Sequence, residues 1–322
     1  MSMSGCISRP SGLLHAAGLA NDLPRMLTPE PASSHELRSG PAQTAMTRVL
    51  HLSDIHCGRP FVAEHMAAAE SLAAAHGFDA IVVSGDVSQR ARPREFEQAC
   101  EILNRLRAVA PLLVVPGNHD TMWWHAPFGW GSATRMHERY CQYVSRELEP
   151  TLRIPGVSIV GLNSAQGTTP QTLTWYPRDW RVKGGLSQAQ LDDARARLAA
   201  SPDADLRLLV VHHNVVRGRL SHRWGLARPN ATLDAIAAMR PHVVCSGHDH
   251  EERVEVVERS TGRFVVSTAN TLSSRMRGHR ASSLNVIEAT AAQVRVTAWV
   301  FEGRAFREGP MTASMPREIR PS

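Results

Sequence analysis

The chain has 322 residues, 43% of them hydrophobic and 20% charged, with a formal net charge of +6. That length admits one large domain or two small ones, and no apolar run approaches the roughly 20 residues of a membrane-spanning helix. The five cysteines are scattered and form no C-x-x-C pair, which argues against a disulfide framework and for a reducing, cytoplasmic setting.

Residues 1–45 are rich in Ser, Pro, Gly and Ala and show little periodicity. They read as a disordered extension, and the mildly apolar stretch 11–20 is too short for a signal-peptide core. Met46 directly precedes the first regular segment and is a second candidate translation start. From Arg48 the pattern becomes regular. A strand is expected at 49–52, a helix at 62–75 and a strand at 80–83, with Gly85 marking the turn. Pro93 opens a helix over 94–108, where Phe96, Ala99, Cys100, Leu103 and Leu106 recur at helical spacing. A third strand, 112–115, stops at Pro116-Gly117.

Further strands are expected at 152–154, 158–162, 207–211 and 242–245, and helices at 187–199 and 231–239. Continuously apolar strands that alternate with helices are buried on both faces. Four segments near the end, 253–257, 263–267, 283–288 and 293–300, have no helix between them and predict an antiparallel second sheet. The expected fold class is α/β: two packed mixed sheets with helices outside, a four-layer α/β/β/α sandwich. One domain would span 46–306, with 307–322 as a tail.

Five short blocks then stand out. They are Asp54-Ile55-His56, Gly85-Asp86, Gly117-Asn118-His119-Asp120, His212-His213 and Gly247-His248-Asp249-His250. Each ends a probable strand or its loop. Singly, each block is ordinary turn chemistry or a surface pair. Together they supply the oxygen and imidazole ligands of a site for two divalent cations, of the kind that suits Mn, Fe, Zn or Co rather than a thiolate-bound structural zinc. Asp54 and His56 lie two apart, so on an extended segment both side chains point the same way. His248 and His250 repeat the arrangement, and the carboxylate of Asp86 has two oxygens with which to bridge two ions. Such a pair of ions lowers the pKa of a bridging water, neutralises phosphate oxygens and orients an ester for in-line attack.

The blocks resemble the calcineurin-like metallophosphoesterases over about residues 47–300. The segments Leu50-His51-Leu52-Ser53-Asp54-Ile55-His56 and Ser84-Gly85-Asp86-Val87-Ser88-Gln89-Arg90-Ala91 are similar to the bacterial branch that includes class III cyclic-nucleotide phosphodiesterases. The resemblance implies that Asp54, His56, Asp86 and His250 hold one metal. It implies that Asp86, Asn118, His212 and His248 hold the other. His119 would face the substrate phosphate and assist the leaving group, oriented by Asp120.

The sequence also departs from the family. Many relatives have prolines after the His-His pair, where this chain continues Asn214-Val215-Val216, and the stretch 166–183 is longer than usual. Trp123, Trp124, Trp130, Trp175, Tyr176 and Trp180 cluster near the blocks, either as a wall against an apolar or base-bearing group or as ordinary loop packing. Asn163, Ser164, His213 and His222 are polar residues near the same face, and Arg217, Arg219 and Arg223 form a basic run. The charge is almost all arginine, with Lys183 the single lysine. Its mild excess fits a phosphate-bearing partner, although compositional drift accounts for it more simply.

The expected function is hydrolysis of a small phosphoester by a metal-bridging hydroxide. A phosphodiester, including a cyclic nucleotide, is favoured by the family branch. The alternatives are a phosphomonoesterase or phosphoprotein phosphatase on the same site, a nuclease, or a metal-free scaffold of the same fold. The chain is short for the extended basic groove or added modules of a nuclease, so nucleic acid is not an expected partner.

Overall fold

The computed structural model describes residues 46–122, 133–167, 169, 172 and 182–317. Twelve strands form two six-stranded sheets. The first has the order β12-β11-β10-β1-β2-β3. Its strands are β1 Thr47–Leu52, β2 Ala80–Val83, β3 Leu112–Val114, β10 Ser283–Ala289, β11 Gln293–Glu302 and β12 Ala305–Pro316. The second has the order β4-β5-β6-β7-β9-β8. It comprises β4 Thr151–Ile154, β5 Val157–Leu162, β6 Leu206–Val211, β7 Val243–Ser246, β8 Arg253–Arg259 and β9 Gly262–Thr268. In the first sheet the parallel strands β1-β2-β3 form one side and the antiparallel β10-β11-β12 the other, whereas in the second a parallel centre, β5-β6-β7-β9, is flanked by antiparallel β4 and β8.

Alternation along the strands creates the layers. Leu50, Leu52, Ile81 and Val83 face the helices α1 (Ala63–His76) and α2 (Pro93–Val109) in one cluster. Their neighbours Val49, Ala80 and Val82 turn inward, against Ile159, Leu208, Val210 and Cys245 of the second sheet. Val160, Leu209, Val211 and Val244 face outward and pack against α5 (Gln188–Ala199) and α6 (Pro229–Ala238). A strand that feeds two apolar layers is apolar at every position, which is why β2, β5, β6 and β7 are buried throughout. The result is the expected α/β/β/α sandwich of two mixed sheets.

Caps fix the helix starts. Ser187 accepts a hydrogen bond from the Gln190 amide at the head of α5, and prolines begin α2 and α6. Two short helices, α3 (Ala133–Met136) and α4 (Glu138–Tyr143), are too brief for periodicity to reveal.

Two expectations are corrected. The four late strands do not form a sheet of their own: β8 and β9 extend the second sheet, whereas β10 and β11 pair onto β1 in the first. Residues 307–316 are not a tail. They continue β12, the first sheet's edge strand, whose Met315 and Phe306 are buried; its alternation with exposed polar residues made it look unstructured. Cys57, Cys141 and Cys245 are free. No described helix is long and apolar enough to cross a membrane.

One polar feature interrupts the layer between the sheets. His51 on β1 is fully buried, with Nδ1 2.8 Å from Ser267 Oγ on β9 and Nε2 2.9 Å from Ser84 Oγ. Burial lowers its pKa to about 3, so the ring bonds both hydroxyls in its neutral form. This bridge ties the two sheets directly beneath the loops described next.

Candidate metal centre

All five motif blocks lie at the carboxyl ends of parallel strands, where open α/β sheets place their ligands. Asp54 and His56 follow β1, Asp86 follows β2, and Asn118 and His119 lie in a 3₁₀ turn after β3. His212 follows β6, and His248 and His250 follow β7. The site therefore takes residues from both sheets.

Asp54, His56, Asp86 and His250 each offer one ligand atom, and these atoms all lie within 4.8 Å of one another. His250 Nε2 is 3.1 Å from Asp54 Oδ1 and 3.0 Å from His56 Nε2. A second group adjoins it. Asn118 Oδ1 is 3.1 Å from His212 Nε2 and 2.9 Å from His248 Nδ1, and those two nitrogens are 3.3 Å apart. Asp86 Oδ2 stands between the groups, 3.7 Å from His56 Nε2 and 3.4 Å from His212 Nε2.

The donor set fits divalent cations. His212 Nδ1 lies 2.8 Å from Ser84 O and His250 Nδ1 2.8 Å from Arg275 O. Carbonyls only accept, so these rings carry their protons outward and turn Nε2 inward, as metal-ligating histidines do. The inward face thus gathers lone pairs, and Asp54 Oδ1 is buried there without a hydrogen bond. Such a convergence of acceptors is stabilised by positive charge.

The protonation pattern agrees. Burial alone would raise Asp54, but the neighbouring His250, His56 and His212 rings hold it well below the carboxylate range. Asp86 is likewise held down against burial, chiefly by His212 and His119. Asp86 outweighs burial and lifts His212 to about 9, so in the absence of a cation this ring itself carries the positive charge the carboxylates attract, and a bound cation would take the place of its inward proton. Two buried carboxylates kept ionised draw a cation to themselves.

The backbone explains how the side chains converge, and it differs from the expected alternation. Among the described residues nine non-glycine residues have positive φ, and Asp54 (53°), His56 (49°), Asp86 (52°), His248 (72°) and His250 (52°) are five of them. None of these lies on a strand. The left-handed conformation, unfavourable for a side chain bearing Cβ, folds each loop back over the sheet ends. Three glycines make room. Cβ atoms on Gly85, Gly117 and Gly247 would strike His212, Asp86 and the Ser53–Asp54 pair respectively. Gly247→Ala is expected to destabilise the protein by about 1–3 kcal/mol through overpacking and to lower bound metal. Thermal melts and elemental analysis measure both, and a normal melt with full metal content would refute the crowding.

The expected contact of Asp120 with His119 is not made. Asp120 is fully buried, and its oxygens accept from the amides of Val87, Ser88 and Gly117 and from Ser88 Oγ. It fixes the loops that carry Asp86 and Asn118 instead. Burial and the charge of Asp86 raise its pKa to about 7 against those bonds. His119 is held by Gln89, whose carbonyl lies 2.7 Å from Nδ1. Its Nε2 is 3.0 Å from Arg275 Nη1, which also donates to Gln89 Oε1. Gln89 stands within a motif block that signalled it. Arg275 lies in the loop after β9, where no motif marks it.

His213 is buried against Ser164 Oγ at 2.7 Å, and Asn163 bonds His137; both are packed beside the site. Asn214, directly after the His-His pair, donates to the carbonyls of Val216 and Arg223 and so shapes the loop that carries His222 and Arg223 to the pocket. Trp123, Trp124, Trp130, Trp175, Tyr176 and Trp180 lie outside the described residues. The aromatic that lines the pocket among the described residues is Trp224.

The fold and the centre define a two-sheet α/β protein built around a candidate dinuclear metal site. Residues 47–252 match the model of the calcineurin-like phosphoesterase family, and the chain belongs to that family.

The chain is 26% identical over 190 residues to the 3′,5′-cyclic adenosine monophosphate phosphodiesterase CpdA of Escherichia coli K12, covering 55% of this chain and 56% of that protein. It is 52% identical over 42 residues to the glycerophosphodiester phosphodiesterase GpdQ of Enterobacter lignolyticus, covering 13% of this chain and 14% of that protein. The chain thus spans about half the length, or less, of these relatives.

Among solved structures, a dimetal phosphatase from Danio rerio aligns with a TM-score of 0.58 at 14% identity, over 83% of this chain and 98% of that one. A purple acid phosphatase from yellow lupin aligns with a TM-score of 0.60 at 10% identity, over 87% of this chain and 55% of that one. At these identities the likeness is one of fold.

Proposed function

We propose that the protein is a metal-dependent phosphodiesterase acting on small phosphodiesters, with 3′,5′-cyclic nucleotides within its range. The observation that carries this is Asp86 Oδ2, shared between two converging groups of neutral and anionic donors. In this reading Asp54, His56, Asp86 and His250 hold one divalent ion, and Asp86, Asn118, His212 and His248 the other. The chemistry such ions supply when bound is neutralisation of phosphate oxygens and a lowered pKa for water beside phosphorus.

The chain's own groups do the rest. His119 lines the pocket with Nδ1 fixed on Gln89 and Nε2 bonded to Arg275, and release of that second bond would turn Nε2 to the phosphate or the departing oxygen. Asp120 keeps the Asp86 and Asn118 loops in register. The buried ligands on one side and the loops on the other limit access of bulk water to the reacting ester. The diester preference is supported by the two curated relatives, both phosphodiesterases by name.

The test uses metal-stripped protein refilled with Mn²⁺, given bis-p-nitrophenyl phosphate and p-nitrophenyl phosphate in parallel. Faster turnover of the diester, dependent on metal, is expected. Preference for the monoester would replace the reading with a phosphatase, and turnover of neither with any divalent ion would remove the enzymatic reading.

A further inference from the structure

Above the candidate ligands the site opens into a cavity of about 370 Å³, within the range of small-molecule pockets. Its lining includes four cationic side chains, Lys183, Arg223, Arg275 and Arg277, against two carboxylates, Asp86 and Asp249. Both carboxylates are committed elsewhere. Asp86 belongs to the proposed ligand set. Asp249 accepts from Ser221 Oγ at 2.6 Å and pairs with Arg277 Nη2 at 3.1 Å.

The other cations have no acid of their own. Arg275 bonds the neutral Gln89 and His119. Lys183 and Arg223 make no ion pair among the described residues. Like charges gathered around one concave opening repel, and they raise the local concentration of anions there.

Two of these cations share a wall apart from the ligand loops. Residues 182–184 and 225–227 run side by side through a Gly184–Leu226 bridge, with Gly184 N donating to Gly225 O at 2.8 Å and Ala227 N to Gly184 O at 2.9 Å. The adjoining loop is pinned. Glu251 accepts from the amides of Arg219 and Leu220, and the Arg223 carbonyl accepts from Gly218 N and Asn214 Nδ2. Trp224 in this wall is half-buried and packs on the third core cluster. The wall therefore presents two unpaired cations and one aromatic face on a preorganised backbone, at no cost in loop ordering on binding.

We propose that this wall reads a second anionic group on the substrate: a phosphodiester whose ring-bearing organic part carries a further phosphate, with Lys183 and Arg223 on that phosphate and Trp224 against the ring. The proposal rests on the phosphodiesterase reading above. The charge of the scissile phosphate is met by the ligand-held ions, His119 and Arg275. Lys183 and Arg223 stand on another wall and hydrogen-bond none of the candidate ligands, which leaves them for a separate anion.

The test is isothermal titration of the full-length protein, Mn²⁺-refilled and again metal-stripped, with adenosine 3′,5′-bisphosphate and adenosine 5′-monophosphate. The bisphosphate is expected to bind at least about tenfold more tightly, with a margin that shrinks as salt is raised. Lys183→Gln with Arg223→Gln is expected to abolish that margin, with monophosphate affinity and turnover of bis-p-nitrophenyl phosphate within about twofold of the parent. Equal affinity of the two nucleotides, or a margin that survives in the double variant, overturns the proposal. The two readings fail separately. Diester turnover without a bisphosphate margin removes only this inference. A margin that needs Lys183 and Arg223, in a protein that turns over no diester, removes the phosphodiesterase reading and leaves an anion-reading pocket.

Discussion

Asp86→Asn is expected to lower kcat/KM for bis-p-nitrophenyl phosphate by at least about 10³-fold, roughly 4 kcal/mol of transition-state stabilisation. Asparagine keeps the shape but replaces one carboxylate oxygen with an NH₂ and removes the charge. At this position Oδ1 accepts from the His119 amide at 2.8 Å while Oδ2 faces both donor groups. The amide oxygen can satisfy one of those demands and not the other. An NH₂ turned toward His56 and His212 would repel a cation. The substitution is nearly isosteric, so the melting curve should shift little while bound metal falls from two equivalents toward one or none. Elemental analysis beside turnover checks both. A variant that holds two equivalents and keeps more than a tenth of its activity would show that Asp86 is not the shared ligand.

His119→Gln has the next largest expected effect and a different signature. The ring touches Gln89 and Arg275, and it meets His56 edge-on with centroids 4.9 Å apart. It is not among the proposed ligands. Loss of a positioned proton donor costs typically about 10²–10⁴-fold. The prediction is a fall in kcat within that range, with KM and metal content close to the parent. The loss should be smaller for p-nitrophenyl esters, whose leaving group needs little protonation, than for an alkyl ester such as a cyclic nucleotide. An equal loss on both would assign His119 to phosphate binding alone, and a loss of metal would make it a structural support of the centre.

Much of this arrangement was legible in the chain, for identifiable physical reasons. The layered fold shows because β2, β6 and β7 face apolar layers on both sides and are apolar throughout. The ligand set shows because each member follows such a strand within four residues. The path by which the side chains converge was hidden. Asp54-Ile55-His56 looks like an extended alternation, yet both ligands sit at positive φ beyond the end of β1. Nothing in the residue types marks that, since neither is glycine.

The resemblance implied that Asp120 orients His119, whereas the 3₁₀ turn points its carboxylate back at the amides of the Asp86 loop. Arg275 and Trp224 were not singled out, because their place in the pocket comes from tertiary folding of loops that carry no motif. The late strands were seen, but their division between two sheets depends on pairing across more than two hundred residues, such as Val49 with Ile287, and no local pattern encodes that.

The centre draws its parts from both sheets, with His56 facing His250 across 194 positions of sequence and His212 leaning on the carbonyl of Ser84. The first sheet carries four of the seven candidate ligands and the second the other three, so neither completes the site alone. These contacts close long loops, of 194 and 128 residues, and long-range contacts are expected to form late in folding. In the proposed function, coordination would act as a seal on the finished assembly rather than as a nucleus for it, and ion affinity would report how well the two sheets have docked. A defect far from the pocket, in the apolar layer between the sheets, would be felt first as metal lost from its mouth.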